Sequence, residues 1–150
     1  MKKIFMASIA LTTFALAFAL FQMTSCKKAT AQTPSTPATY PIQGLWVGTY
    51  TIDGQAALGQ QYFSFVIKPD GSIINDTKYN NQQNLALGNW TLSGTTLSCS
   101  FTNMYGQASN FGVSETCTAT WDNSGKLTAG IWKNVAPLSG SGTFVLTRIN

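Results

Sequence analysis

Few side chains in this sequence are suited to chemistry, and their types restrict what that chemistry can be. The 150 residues contain three cysteines, five acidic residues and no histidine. Catalysis by histidine, metal sites with histidine ligands and zinc sites made of paired Cys-x-x-Cys motifs are therefore excluded. The remaining candidates are the carboxyl groups and the thiols of Cys26, Cys99 and Cys117.

The five acidic residues do not form a pattern typical of a catalytic site. Asp53, Asp70 and Asp122 fall in predicted turns, whereas Asp76 and Glu115 fall in predicted strands. Two carboxyl groups about 5 Å or about 6.5–9.5 Å apart can hydrolyse a glycoside, but nothing in the sequence brings Asp76 beside Glu115. We therefore expect a protein that is not an enzyme and that has no cofactor and no metal site.

The charge of the chain argues against a nucleic-acid partner. Nine Lys and Arg residues oppose five Asp and Glu residues, which gives a formal net charge of +4. Lys2 and Lys3 belong to the N-terminal leader, so the rest of the chain carries a smaller excess of positive charge. Nucleic-acid binding needs a clustered basic stripe, and this sequence has none.

Residues 1–25 have the pattern of a signal peptide. Lys2 and Lys3 give a positive start, and an uncharged apolar run extends over residues 4–21. Met23-Thr24-Ser25-Cys26 follows and resembles the bacterial lipobox, in which the thiol is lipidated and the chain is cleaved just before it. The resemblance implies that Cys26 becomes an acylated N-terminus held on a membrane. An uncleaved membrane-spanning helix is the alternative, since such a helix needs roughly 20 apolar residues.

Residues 26–42 are expected to form a disordered tether after the lipidated cysteine. The segment is rich in Thr and Pro, and it has too few apolar side chains to offset the entropy lost on ordering. We expect a lipid-anchored protein of the bacterial cell envelope, held at the outer membrane. The sequence leaves open whether it faces the periplasm or the cell surface.

The rest of the chain, residues 43–150, is expected to form one all-β domain. Short runs rich in aromatic and β-branched residues alternate with Gly, Asn, Asp and Pro clusters, which favours strands over helices. Turns such as Pro69-Asp70-Gly71 join sequential strands, so we predict an eight-stranded antiparallel up-and-down barrel without exposed edges. The predicted strands are 45–52, 61–68, 72–79, 86–92, 96–103, 113–121, 126–134 and 143–149.

The turns also predict registers between the later strands. The loop after Leu92 sets Trp90 opposite Cys99, and a hairpin centred near Ala108 sets Cys99 opposite Cys117. A cross-strand disulfide needs closely spaced Cβ atoms, and an oxidising cell envelope favours its formation. We predict a disulfide between Cys99 and Cys117, with two free buried thiols as the alternative.

Glu115 is an acidic residue that these registers place on the inner face of the barrel. The turn after Trp121 sets Trp121 opposite Lys126, which puts Glu115 between Phe101 and Trp132. A carboxylate buried without a partner is costly, so such a group finds a cation or hydrogen-bond donors, or takes up a proton. Glu115 is therefore a candidate for recognising a ligand amine or hydroxyl at the barrel mouth. The alternative is a wetted carboxylate near a barrel end, which serves solubility or pairs with a lysine.

Residues at the two ends of the predicted domain carry a family resemblance. Gly44-Leu45-Trp46 begins the first strand, and Arg148 lies near the end of the last. Together they resemble the signature of the calycin superfamily, which includes lipocalins, fatty-acid-binding proteins and avidins. The resemblance implies that Gly44, Trp46 and Arg148 close one end of the barrel, with the arginine stacked on the indole. The chain looks most like small lipocalin-like bacterial lipoproteins, and its residues do not map onto the biotin site of avidins.

Two functions are compatible with such a barrel. In the first, the interior or the mouth binds a small apolar or amphipathic molecule. In the second, the barrel is filled by its own side chains, and its loops bind another envelope protein as an interaction or inhibitor module. A cavity near Glu115 favours the first function, and a filled barrel with apolar loop tips favours the second. The candidate ligand-binding residues are Tyr50, Phe65, Trp90, Glu115 and Trp132.

Overall fold

The strands of this protein close on themselves to form a barrel. The computed structural model describes residues 41–149. Eight antiparallel strands follow one another around the barrel in chain order, and the last pairs with the first. The predicted all-β, up-and-down barrel is confirmed. The strands are β1 (Gly44–Tyr50), β2 (Gln61–Ile67), β3 (Ser72–Tyr79), β4 (Gln82–Ser93), β5 (Thr96–Tyr105), β6 (Ser114–Trp121), β7 (Lys126–Asn134) and β8 (Ser141–Ile149).

Other predictions concern the N-terminal part of the chain. The predicted signal peptide, the lipidated Cys26 and all but the last two residues of the predicted tether lie outside the described residues. Within residues 41–149, no helix has the length and apolar character needed to cross a membrane.

Strand β4 is longer than predicted because its turn was not recognised. Asn80 and Asn81 both have positive φ angles, 48° and 64°, and they join β3 to β4 as a two-residue hairpin. Asparagine tolerates this conformation better than most residues, so Tyr79 pairs directly with Gln82. The strand therefore starts four residues before the predicted residue, Ala86.

The core is built by alternation along the strands, with every second side chain pointing into the barrel. In β5, for example, Leu97, Cys99 and Phe101 are buried while the residues between them are exposed. A cluster of phenylalanine rings fills the middle of the barrel, with ring centroids 5.0–5.6 Å apart. These rings belong to Phe63, Phe65 and Phe144, none of which is more than 2% exposed.

One end of the barrel is closed by Trp46 and its neighbours. The Trp46 side chain is fully buried, and its indole N–H donates a hydrogen bond of 2.7 Å to the carbonyl of Ile42. Arg148 lies opposite Trp46 on β8 and donates from Nη2 to the carbonyl of Gln43 at 3.0 Å. The guanidinium lies against Gly44, where a side chain would crowd it. Gly44, Trp46 and Arg148 thus meet at this end.

The registers of the later strands agree with the prediction in part. Trp90 lies opposite Cys99, and Cys99 lies opposite Cys117, as predicted. The register between β6 and β7 was wrong, because Cys117 pairs with Trp132 instead of Gly130. One residue of this shift arises at the turn, because Trp121 pairs with Leu127 where Lys126 was predicted. A β-bulge adds the second residue, since Ala129 adopts a positive φ of 49° and the pairing slips beside it.

The same shift changes the neighbours of Glu115. The residue lies opposite Phe101 on β5, as predicted, but it faces Asn134 on β7 where Trp132 was expected. Trp132 is two residues closer to the closed end along β7, and it still points inward. Glu115 therefore has a polar neighbour on β7 at its own level.

The predicted disulfide is not present, because Cys99 and Cys117 are both free and buried. The hydrogen bonds between β5 and β6 give the reason. The N–H of Asn103 donates to the carbonyl of Val113 at 2.9 Å, and the N–H of Trp121 donates to the carbonyl of Thr95 at 2.8 Å.

Hydrogen-bonded and non-hydrogen-bonded residue pairs alternate along an antiparallel ladder. Cys99 is four residues from Asn103 and four from Thr95, and both of these residues belong to hydrogen-bonded pairs. The two cysteines therefore also form a hydrogen-bonded pair. Side chains of such pairs diverge, so their Cβ atoms are about 5.5 Å apart. A disulfide needs about 3.5–4.5 Å between Cβ atoms. The residues face each other as predicted, but in the type of pair that keeps their sulfur atoms apart.

Candidate functional site

A cavity of about 280 Å³ opens at the end of the barrel opposite Trp46. Strand β1 runs from the closed end towards it, so Tyr50 lies at the cavity while Trp46 lies at the other end. Aromatic rings form one part of the lining, and amides and hydroxyls form another. The aromatic residues are Tyr50, Phe63, Tyr79 and Trp132, and the polar ones include Thr77, Asn84, Asn103, Gln107, Asn134 and Ser139.

The aromatic wall is fixed by hydrogen bonds from its polar atoms. The Tyr50 hydroxyl donates to the carbonyl of Lys78 at 3.2 Å, and the Trp132 indole N–H donates to the carbonyl of Thr51 at 2.9 Å. The two rings meet edge to face with centroids 5.7 Å apart, a favourable arrangement for aromatic pairs. The rings are thus held in place where they line the cavity.

Glu115 contributes a carboxyl group to this cavity. Its Oε1 accepts a hydrogen bond of 2.7 Å from the Asn103 side-chain amide. Burial raises the pKa of the Glu115 carboxyl above its ordinary value, and the bond from Asn103 opposes that rise. Among the described residues that line the cavity, Glu115 is the only carboxylate, and none is a lysine or an arginine.

The electrostatic influence of Glu115 extends to the facing wall. Burial, with a smaller contribution from the charge of Glu115, raises the pKa of Tyr50 to about 12. The Tyr50 phenol is therefore neutral at physiological pH and acts as a hydrogen-bonding group.

Two buried asparagines hold the loop that follows β5 against the mouth. The side-chain oxygen of Asn84 accepts a 3.0 Å hydrogen bond from the backbone N–H of Gln107. Asn103 exchanges backbone hydrogen bonds with the far side of the same loop, at Gly112 and Val113. The approach of Asn84 requires glycine at position 106, because a Cβ atom there would collide with the asparagine amide. The loop is therefore a fixed part of the rim.

The structure brings three of the five predicted ligand-binding residues together and separates the other two. Tyr50, Glu115 and Trp132 line the cavity. Phe65 does not, because it is fully buried in the phenylalanine cluster beneath it. Trp90 points inward, but it is six residues along β4 from Asn84, a strand length of about 20 Å. It lies near the closed end, where its indole N–H donates to the carbonyl of Lys68 at 2.8 Å.

The polar part of the lining was missed by sequence reasoning. Asn84, Asn103 and Thr77 stand at inward-facing positions of their strands, in series with apolar core residues. Asn84 was assigned to a loop because asparagine is typical of turns, and Asn103 and Thr77 were placed in strands without being considered for the site. The alternation of side chains along a strand could have revealed these residues. Asn103, for example, is two residues from Phe101 and lies on the same inward face.

A second groove lies beside the mouth, with a volume of about 320 Å³. The loop after β5 and the loop after β7 form its two sides. Phe111, Val135 and Leu138 line it and are 63%, 44% and 46% exposed. The barrel therefore carries apolar loop residues as well as a cavity.

The ionisable residues do not gather into a metal centre in the part of the chain described. No group of three or more His, Cys, Asp or Glu residues is placed to hold an ion in residues 41–149.

Comparison with known proteins found no matching family model, no matching curated protein and no matching solved structure.

Proposed function

We propose that this protein is a non-enzymatic, lipid-anchored barrel of the bacterial cell envelope that binds a small amphipathic molecule at its open end. The observation that carries the proposal is the cavity beside Glu115, which joins a fixed aromatic wall to a set of amides and one carboxyl group. Ligand pockets typically combine apolar surface with a few placed polar groups in this way. Attachment through Cys26 at the outer membrane is supported by the lipobox-like pattern of the sequence.

The shape of the barrel interior restricts the size of the ligand. At about 280 Å³ the cavity is near the lower end of the range of ligand pockets, about 300–1,000 Å³. The phenylalanine cluster fills the barrel immediately beneath it. A long acyl chain therefore has no space, and the ligand is a compact molecule held at the mouth. A calycin-like origin, supported by Gly44, Trp46 and Arg148, fits a barrel of this layout.

Native mass spectrometry tests this function on the full-length protein extracted from a bacterial envelope. We expect a small molecule retained in gentle ionisation and lost in denaturing ionisation. Ser139→Trp narrows the rim of the cavity, so it should reduce the retained fraction at least tenfold. Ser98→Trp places the same side chain at an exposed position of β5 outside the cavity and should leave retention unchanged. Equal retention in both variants would count against a site at the mouth.

Binding of another envelope protein is the second candidate function. The exposed side chains of Phe111, Val135 and Leu138 around the second groove favour it, because contiguous exposed apolar surface marks many interaction sites. A chain that retains no small molecule but co-purifies with a stoichiometric protein partner would support this function in place of the first.

A further inference from the structure

The charge of the cavity carries information about its ligand. Glu115 is the only charged residue among those that line it in the described part of the chain. Its carboxyl group receives one hydrogen bond from protein, the 2.7 Å bond from Asn103, and this bond reaches only Oε1. The Glu115 side chain is half-buried, and its Oε2 remains accessible from the cavity. A carboxylate in such a position is strengthened by a cation or a hydrogen-bond donor, and a bound molecule can supply either.

The aromatic wall of the cavity also favours a positively charged ligand. Tyr50 and Trp132 line the same cavity as Glu115, and a cation that reaches the face of such a ring is attracted by its quadrupole. Anions meet the opposite situation, because the carboxylate repels them and no lysine or arginine of the described lining compensates. The cavity is thus complementary to positive charge on two sides.

We propose that the cavity selects small organic cations, in which a primary ammonium group binds the Glu115 carboxylate and an apolar body packs on Tyr50 and Trp132. This inference rests on the proposed small-molecule function and names the class of ligand. An ammonium group donates three hydrogen bonds. It satisfies Glu115 directly, and the amides around it, such as Asn134, offer acceptor oxygens for its other protons.

Neutral, hydroxyl-rich molecules are the main competing class, since sugars also use aromatic faces and amides. The two classes differ in their need for the charge of residue 115. If glutamine replaces Glu115, a hydroxyl can donate to the glutamine oxygen nearly as well as to the carboxylate, whereas an ammonium group has lost its counter-ion. Glu115→Gln therefore separates them, and it keeps the oxygen that Asn103 contacts.

Titration calorimetry on the full-length, detergent-solubilised protein tests the inference with three matched probes. These are 2-phenylethylamine, its neutral analogue 2-phenylethanol and the anion 3-phenylpropanoate. We expect the amine to bind wild-type protein at least tenfold more tightly than the alcohol at pH 7.5, and the anion not to bind. Glu115→Gln should lower amine affinity at least tenfold and change alcohol affinity less than threefold.

Asp76→Asn is the matched control for the loss of one negative charge. Asp76 is on β3 and interacts with Gln83 at 3.1 Å outside the cavity, so amine affinity should be unchanged. Equal binding of amine and alcohol, or a retained neutral molecule in native mass spectra, would overturn the cation inference and leave the ligand-binding function standing. No binding of any probe and no retained molecule would remove both.

The pH dependence of wild-type protein gives a test that does not depend on the folding of a variant. Amine affinity should rise with pH through the titration of Glu115, while alcohol affinity stays constant. Other ionisable groups facing this space are the hydroxyls of Tyr50 and Tyr79 and, deeper, the thiols of Cys99 and Cys117. Burial raises the pKa of Tyr50 and of both thiols, so these three groups remain neutral from pH 4 to 8. An affinity for the amine that is flat over this range would contradict the inference.

Discussion

Burial raises the pKa of the Glu115 carboxyl above its ordinary value of 4.5, so the folded protein holds this proton more tightly than the unfolded chain does. The resulting stabilisation is fully present below the pKa of the unfolded chain, near 4.5, and is lost as pH rises through the folded pKa. Each pKa unit of difference corresponds to about 1.4 kcal/mol. At neutral pH, the ionised carboxylate is therefore a cost to folding.

Glu115→Gln should remove this cost. We expect the variant to have a higher free energy of unfolding than wild type at pH 8 and an equal one at pH 4, because glutamine does not titrate. Urea unfolding at both pH values measures the difference. Asp76→Asn is the control, because it removes a carboxylate that lies outside the cavity beside Gln83. A variant that is less stable than wild type at pH 8 would mean that the carboxylate is already well satisfied in the folded protein.

At this scale, the sequence predicted the acidic member of the site and missed its amide neighbours. Glu115 was found because a charge on an inward-facing position of a strand is unusual and needs an explanation. Asn84 and Asn103 gave no such signal, because asparagine is common in the loops of any β-domain. Trp90 was assigned to the site because the alternation of side chains along β4 predicts that it points inward. That alternation gives the face of the strand on which a residue lies, but not its height along the barrel axis.

The pair of strands β5 and β6 shows how hydrogen-bonding type decides whether facing residues can be linked. Cys99 and Cys117 occupy a hydrogen-bonded pair, whereas Thr102 and Ser114 occupy a pair of the other type. The hydroxyls of Thr102 and Ser114 are only 3.0 Å apart, as the closer side chains of that type predict. Ser98 and Thr118 form another pair of this closer type, adjacent to the cysteines and on the outer face.

A disulfide should therefore form between Ser98→Cys and Thr118→Cys under mild oxidation, and not between the two native cysteines. Peptide mapping without reduction should show the engineered link, with Cys99 and Cys117 alkylated only after unfolding. Burial raises the pKa of both native thiols, which further slows their reaction. A native Cys99–Cys117 link, with the engineered pair unlinked, would invert the assigned hydrogen-bonding pattern.

Elements were predicted well where local chemistry determines them and poorly where tertiary packing does. Turn residues such as Asp70 and Asp122 accept hydrogen bonds from residues two positions later, which is a local effect visible in sequence. The bulge at Ala129 has no such marker, because a positive φ at alanine is imposed by the closure of β7 on its neighbours. The register between β6 and β7 was therefore wrong twice, by one residue at the turn, where Trp121 pairs with Leu127 and not Lys126, and by one more at the bulge.

The two ends of the barrel differ in how they are filled. The closed end and the middle are filled by Trp46 and by the phenylalanine cluster, while the open end keeps a cavity with polar walls. The sequence predicted the barrel and its closure because eight amphipathic strands joined by short turns have few other arrangements. The sequence left open whether the barrel was filled or hollow. The answer depends on which large inward-facing side chains lie at the same height along the barrel axis.

Barrel closure depends on the seam between β1 and β8, where Gly48 lies opposite Leu146. A methyl group at Gly48 would collide with the backbone carbonyl of Val145, so the two strands would have to separate. We expect Gly48→Ala to lower the free energy of unfolding by about 1–3 kcal/mol, as overpacking does in other cores. Thr147→Val, on the exposed side of the same seam, should change it by less than about 0.5 kcal/mol.

Separation of the seam should also affect the proposed binding site, because Tyr50 is two residues beyond Gly48 on the same strand and shares its face. A shift of β1 away from β8 would move Tyr50 relative to Trp132, whose rings now meet at 5.7 Å. Gly48→Ala should therefore weaken binding of the amine probe even under conditions where the variant is fully folded. Chemical denaturation and calorimetry on the same preparation measure both effects. Lower stability with unchanged amine affinity would show that the mouth is insensitive to the seam, and that the wall formed by Tyr50 is held from β2 and β7 instead.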